Sequence, residues 1–256
     1  MVTKIIEKGL FSWILLISLS LYSQEADPFK KIQPIPEKYT SLPFGDVKPG
    51  GWIKQQVQGN LDGFIGHLDS LVPDLIIKDD IYGKDRLTNK VKSKDVGALG
   101  DNEGNWQVQF LWWNSETQSN WWDGYIRSAI LANDKQHLGR IENYVQRILA
   151  TQDKDGYLGI YDEELRYKFD NENGELWAKA TLLRGLLAWY DHTKDPKVLS
   201  AVERAVDNVM VNWPAGASQP FYSVNQYVGG LSHGLVFTDV LEQLYYLKGS
   251  QKYLDY

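Results

Sequence analysis

The 256 residues, 43% of them hydrophobic and 23% charged, suffice for one substantial buried core. A net charge of -6 supplies no general cationic surface for phosphates, so no nucleic acid is expected among the partners. The chain has no cysteine, which excludes disulfides, thiolate metal sites and cysteine nucleophiles within it and leaves stability to packing.

Residues 1–24 have the pattern of a signal peptide. Lys4 and Lys8 precede the apolar run that starts at Leu10 and ends at Leu19, and the polar stretch around Ser23 and Gln24 suits cleavage. The run is shorter than the roughly 20 apolar residues that a membrane span requires. The expectation is export to the periplasm or exterior, with no stable membrane insertion after cleavage. An extended lead-in follows over residues 25–51, where Pro28, Pro34, Pro36, Pro43 and Pro49 disfavour helix.

The domain proper is expected to span residues 52–256. Ile53, Val57, Leu61, Phe64, Ile65, Leu68 and Leu71 recur at three- and four-residue steps and predict a helix over 52–77. Residues 79–104 are rich in Lys, Asp, Asn and Gly and read as a long surface loop. In it, Lys84 and Arg86 read either as a solvated charge run or as contacts to an acidic sugar. Residues 106–113 read as extended, with a helix starting near Asp123.

A weak internal repeat organises the remainder. Three segments run helix, tight polar turn, helix, with turns at 132–138, 193–199 and 248–254. Their closing leucines, Leu138, Leu199 and Leu254, are 61 and 55 residues apart, and Gly124 and Gly185 each lie 14 residues before their leucine. That period accommodates pairs of antiparallel helices, each burying its apolar stripe against the next. The fold class expected is all-α, an incomplete (α/α)6 toroid of antiparallel helical hairpins, cut short at Tyr256.

Several strings in order resemble the β-L-arabinofuranosidase-type glycoside hydrolases (glycoside hydrolase family 127/146 type, formerly an uncharacterised domain family). They are Pro43-Phe44-Gly45-Asp46-Val47-Lys48-Pro49-Gly50-Gly51-Trp52-Ile53, Trp122-Asp123-Gly124, Gln152-Asp153-Lys154-Asp155-Gly156-Tyr157-Leu158 and Gly174-Glu175-Leu176-Trp177-Ala178-Lys179-Ala180. The resemblance covers roughly residues 42–256. It implies a secreted hydrolase releasing terminal arabinofuranose or a related sugar from plant polysaccharide, built on an (α/α)6 barrel. It also implies a zinc-bound cysteine nucleophile and a glutamate acid/base, both falling beyond this chain. No catalytic residue, metal ligand or cofactor is therefore expected in this segment, zinc is expected only in a longer protein, and the fragment alone is expected to be inactive.

The expected glycan contacts are Trp121, Trp122, Asp123, Glu175, Trp177 and His233. Flat rings with a polar edge suit sugar faces as well as cores, so the doublets 112–113 and 121–122 are the candidate platforms, while Trp189 and Trp213 are assigned to the core. Asp123 and Glu175 each have two readings, helix-start stabilisation or a sugar hydroxyl contact. Asp155-Gly156-Tyr157 reads first as a turn. The resemblance places a histidine like His233, in its Gly-rich setting, on the pocket. His67, His137 and His192 are assigned to the surface, and no pair has metal-ligand spacing. Two rival functions remain: a toroid enzyme of the unsaturated uronyl hydrolase or lyase type, using early-helix aspartates such as Asp123, and a non-catalytic helical module that binds glycan or protein.

Overall fold

The computed structural model describes residues 38–88, 106–167, 174–216 and 234–256, with side chains of the long central helix described from Trp112 onward. The chain divides into two units, Met1–Ser41 and Leu42–Tyr256, and every helix named below belongs to the second. Both the signal-peptide segment and His233 lie outside the described residues. No described helix is long and apolar enough to cross a membrane.

The fold is all-α, and among the described residues the sole β-type pairing is an isolated parallel bridge between Leu87 and Tyr161. In chain order the helices are α1 (Gly51–Asp62), α2 (Phe64–Leu71), a π-helical turn (Asp74–Lys78), α3 (Trp106–Ala132), α4 (Lys135–Ala150), α5 (Glu175–Thr193), α6 (Pro196–Asn212), α7 (Thr238–Lys248) and α8 (Gln251–Asp255). The single helix expected over 52–77 is thus three pieces. Gly63 ends α1 and starts α2 with non-helical backbone, and Val72-Pro73 ends α2.

The three sequence repeats are three hairpins, α3–α4, α5–α6 and α7–α8. Their turns share one device. Asn133, Lys194 and Gly249 adopt left-handed backbone (φ of 54°, 55° and 62°), and each is followed by an extended residue, Asp134, Asp195 or Ser250, that starts the next helix. Asp134 accepts from the Gln136 and His137 amides and Asp195 from that of Lys197, satisfying donors that a helix start leaves open.

Burial sorts the hairpins into two layers. In α4 a single stripe is buried, made of His137, Ile141, Tyr144, Val145 and Ile148; in α6 it is Val198, Ala201, Val202, Ala205, Val206, Asn208 and Val209. Such helices cover one side of a core. Helix α5, by contrast, is buried almost all round, because α3 and α7 flank it and α6 backs it. The first helices of the hairpins, α3, α5 and α7, therefore form an inner layer, and α4 and α6 lie outside it.

Several sequence expectations are corrected. Residues 106–113 are helical, not extended, and Asp123 lies in the middle of α3, not at a helix start, since α3 continues unbroken through the polar stretch 114–120. The described part of the supposed surface loop is packed. Asp79, Ile81, Tyr82 and Leu87 are buried, and Tyr82 Oη donates to the carbonyls of Ser115 and Ala178, tying the segment to α3 and α5. His137 is buried, with Nδ1 2.6 Å from Tyr125 Oη, while His67 and His192 are exposed as expected. Trp189 and Trp213 are core residues.

Candidate functional site

The expected site residues fall into three environments. Trp121 and Trp122 are core side chains. Trp121 stacks on Tyr125 and donates Nε1 to the Ile65 carbonyl at 2.7 Å, and Trp122 stacks on Tyr144. Their faces are consumed by packing, and Trp112 is enclosed too, against Gly174, whose left-handed φ of 63° and lack of Cβ admit the indole. Within the doublets only Trp113 remains substantially open, at 41% exposure.

Glu175 opens α5 as the sequence suggests, but its side chain is enclosed. Tyr157 Oη donates to Oε1 at 2.7 Å, the Tyr167 amide donates to Oε2 at 3.1 Å, and Lys179 Nζ lies 3.3 Å from Oε1. Lys179, fully buried one turn later, also donates to the Leu158 carbonyl at 3.1 Å and sits 3.5 Å from the centroid of the Tyr157 ring. Burial lowers its pKa to about 8, and the Glu175 carboxylate opposes that shift. Burial also drives the Tyr157 hydroxyl well above its ordinary range, with the neighbouring Glu175 charge adding to the effect.

Around this pair the connection 151–167 is fastened down. Asp153 takes Arg86 and Arg166 together, the Arg166 guanidinium lies over the Tyr157 ring, and Asp155-Gly156 makes the expected turn with Gly156 at φ 93°. Arg86 therefore belongs to neither of its sequence readings. It is a mostly buried strut that also donates to the Thr151 carbonyl.

The third environment is the open side of the inner layer. Along α3 the incompletely buried positions include Trp113, Thr117, Asn120, Asp123 and Arg127; along α5 they include Trp177, Arg184 and Asp191; along α7 they include Asp239, Glu242 and Tyr246. Steps of three, four and seven residues put each set on one helical face. Ion pairs join the faces: Arg184 Nη2 lies 3.8 Å from Asp123 Oδ2 and its Nη1 lies 3.7 Å from Asp239 Oδ2. Asp123 Oδ1 also accepts from Arg127 Nε at 2.7 Å, and the lead-in's Phe44 ring packs on that guanidinium. Gly185 lets α5 approach the Asp123 backbone, with an added Cβ only 3.5 Å from its Cα.

Asp123, Arg184 and Asp239 are repeat-equivalent: each lies 15 residues before its closing leucine, Leu138, Leu199 or Leu254. Of the expected set, the structure thus places Asp123 beside Arg184, with Trp177 further along the same face of α5, and adds Arg184 and Asp239. The register that aligned Gly124 with Gly185 places these charges in one column, and that signal was available in the sequence. Two grooves, of about 410 and 570 Å³, lie elsewhere. They run along α4, α6 and the α5–α6 turn, on the outer-helix side, and contain none of the expected site residues. The inner face is the better candidate, because three elements converge there on polar groups with unspent hydrogen-bonding capacity.

Repeated antiparallel hairpins with a polar, tryptophan-bearing inner face define the chain as an all-α hairpin array. Residues 78–256 match the family model for the β-L-arabinofuranosidase GH127 catalytic domain, well over half the chain, and the chain belongs to that glycoside hydrolase family. No curated protein and no solved structure matches it.

Proposed function

We propose that this protein is an exported glycoside hydrolase acting on terminal arabinofuranose or a related sugar of plant polysaccharide, and that the α3–α5–α7 face is part of the wall of its glycan cavity. Membership of the family makes a glycan the substrate. The observation that carries the placement is the column Asp123–Arg184–Asp239, donors and acceptors held on one face with Trp113 and Trp177. Sugars need that combination, since hydroxyls both donate and accept while their apolar faces stack on indole. Successive hairpins with equivalent residues in register also support an arc of an (α/α)6 toroid, in which such a face lines the lumen.

In this reading the wall binds and orients, and the bond-cleaving carboxylates come from outside the described residues. Retaining hydrolysis needs a nucleophile and an acid/base facing the glycosidic bond. Glu175 is enclosed by Tyr157, Tyr167 and Lys179, and Asp123 is occupied by Arg127. The zinc and cysteine chemistry implied by the family resemblance does not fit this segment. The chain has no cysteine, and the described residues include no group of three His, Asp or Glu suited to a metal.

The test is release of arabinose from a chromogenic β-L-arabinofuranoside and from arabinan oligosaccharides, alongside calorimetric binding of the same oligosaccharides. Binding of arabino-oligosaccharides, weakened by Trp177→Ala, supports the placement. Absence of both binding and hydrolysis overturns the reading. In a catalytically active form of the protein, Asp123→Asn separates it from a uronyl-hydrolase mechanism: near-complete loss of turnover with unchanged binding would make Asp123 a reacting group.

A further inference from the structure

Of the seven arginines, all described, Arg184 is distinguished by what it lacks. Arg86, Arg127, Arg140, Arg166 and Arg204 each donate hydrogen bonds to a carboxylate or a carbonyl, and Arg147 stands exposed beside Tyr144. The Arg184 side chain is only 34% exposed, yet its polar contacts among the described residues are the two ion pairs at 3.7 and 3.8 Å, both too long for hydrogen bonds. Asp239, 52% exposed, has that ion pair as its sole side-chain polar contact among the described residues. A guanidinium with five N–H donors and a carboxylate that only accepts therefore face each other with their capacity unspent, on the open side of the inner layer.

We infer that Arg184 and Asp239 form a hydroxyl-binding subsite for a neutral sugar unit, and that this pair makes the wall selective against uronic acids; the inference rests on the glycan-cavity reading above. Vicinal hydroxyls match the pair, because one can accept from the guanidinium while its neighbour donates to the carboxylate. The charge around the subsite selects the class. Asp123 is already paired with Arg127, but the Asp239 carboxylate faces Arg184 with no other partner among the described residues, so a sugar carboxylate that takes the guanidinium must meet the Asp239 charge at close range. A neutral polyol meets no such penalty. Trp177 lies seven residues before Arg184 on the same face, roughly 10 Å along the helix.

Isothermal titration calorimetry tests this with a neutral arabino-oligosaccharide and an oligogalacturonate of equal length. The protein should bind the neutral probe at least tenfold more tightly. Arg184→Gln and Asp239→Asn should each weaken that binding about tenfold, the scale of one charge-assisted hydrogen bond. The double variant should lose less than the product of the single losses, because both groups serve one ligand. Arg184→Lys should recover part of the loss, and circular dichroism and melting curves establish that each variant is folded. Neutral-probe binding that neither substitution changes would overturn the subsite and leave the glycan reading standing, as would tighter binding of the oligogalacturonate. Failure to bind either probe would sink the glycan reading and the subsite with it.

Discussion

Helix α5 carries two groups of charge that differ in how completely they are partnered. In its first turns Glu175 and Lys179 are sealed from solvent, and the carboxylate receives a hydroxyl, an amide and an ammonium. Little more than a turn beyond Lys179, Arg184 stands one-third open between two aspartates without a hydrogen bond to either. A charge removed from water is tolerated only when its partners replace the water. The enclosed pair is thus committed to holding the 151–167 connection against α5, whereas the half-open guanidinium costs the fold little and keeps hydrogen-bonding capacity unspent. Within one helix, completeness of partnering separates architecture from the proposed binding surface.

Breaking the enclosed pair should have the largest effect. Glu175→Gln strands a buried ammonium and Lys179→Met strands a buried carboxylate, so each is expected to destabilise by about 3–5 kcal/mol in urea unfolding. The double variant removes both charges while the Gln oxygen can still accept from the Tyr167 amide and its NH2 can donate to the Tyr157 hydroxyl oxygen. It should regain part of that loss, and a double variant as unstable as the singles would show that packing, not charge, is what the pair supplies.

The same pair should shape the alkaline stability profile. Lys179 is held near pKa 8 chiefly by burial, against about 10.5 in the unfolded chain. Between these values the unfolded chain binds a proton that the native protein lacks, so stability rises with pH from about 8 to 10, on the order of 1–3 kcal/mol. Above about pH 10 the sign reverses. Burial raises the hydroxyls of Tyr82, Tyr125 and Tyr157, so the native state then keeps protons that the unfolded chain sheds. Urea midpoints measured from pH 7 to 11 should climb and then fall. Lys179→Met should flatten the climb and leave the fall, and a climb that persists in that variant would assign it to another group.

The hairpins are legible in the sequence because turn chemistry is local: Asp134 and Asp195 cap helices α4 and α6 just after a left-handed residue, and the spacing of the leucines marks the period. The burial of the candidate tryptophans is not. Trp121 and Trp122 have the composition of a sugar-binding doublet, but whether an indole faces a ligand or Tyr144 depends on helix phase, and reading 106–113 as extended loses that phase. The helix start at Glu175 is plain in the sequence, yet Tyr157, Tyr167 and Lys179 enclose it through contacts that sequence proximity does not disclose. Arg184 and Asp239 are hidden differently. Each is an ordinary helical charge alone and becomes a column with Asp123 only when the repeats are superposed.

Opening the half-partnered site should disturb the fold least. Arg184→Gln removes two long, partly solvated ion pairs, and such contacts contribute little to stability, roughly 0–1 kcal/mol together. Asp123 keeps its 2.7 Å bond from Arg127, and Asp239 can be hydrated, so neither carboxylate is left buried without a partner. The urea midpoint of this variant should therefore stay close to that of the parent protein, while the same substitution weakens oligosaccharide binding. If it instead costs several kcal/mol, as expected for Glu175→Gln, Arg184 belongs with the enclosed charges as a strut between α3, α5 and α7. The distinction between partnered architecture and unpartnered binding surface would then fail on this helix.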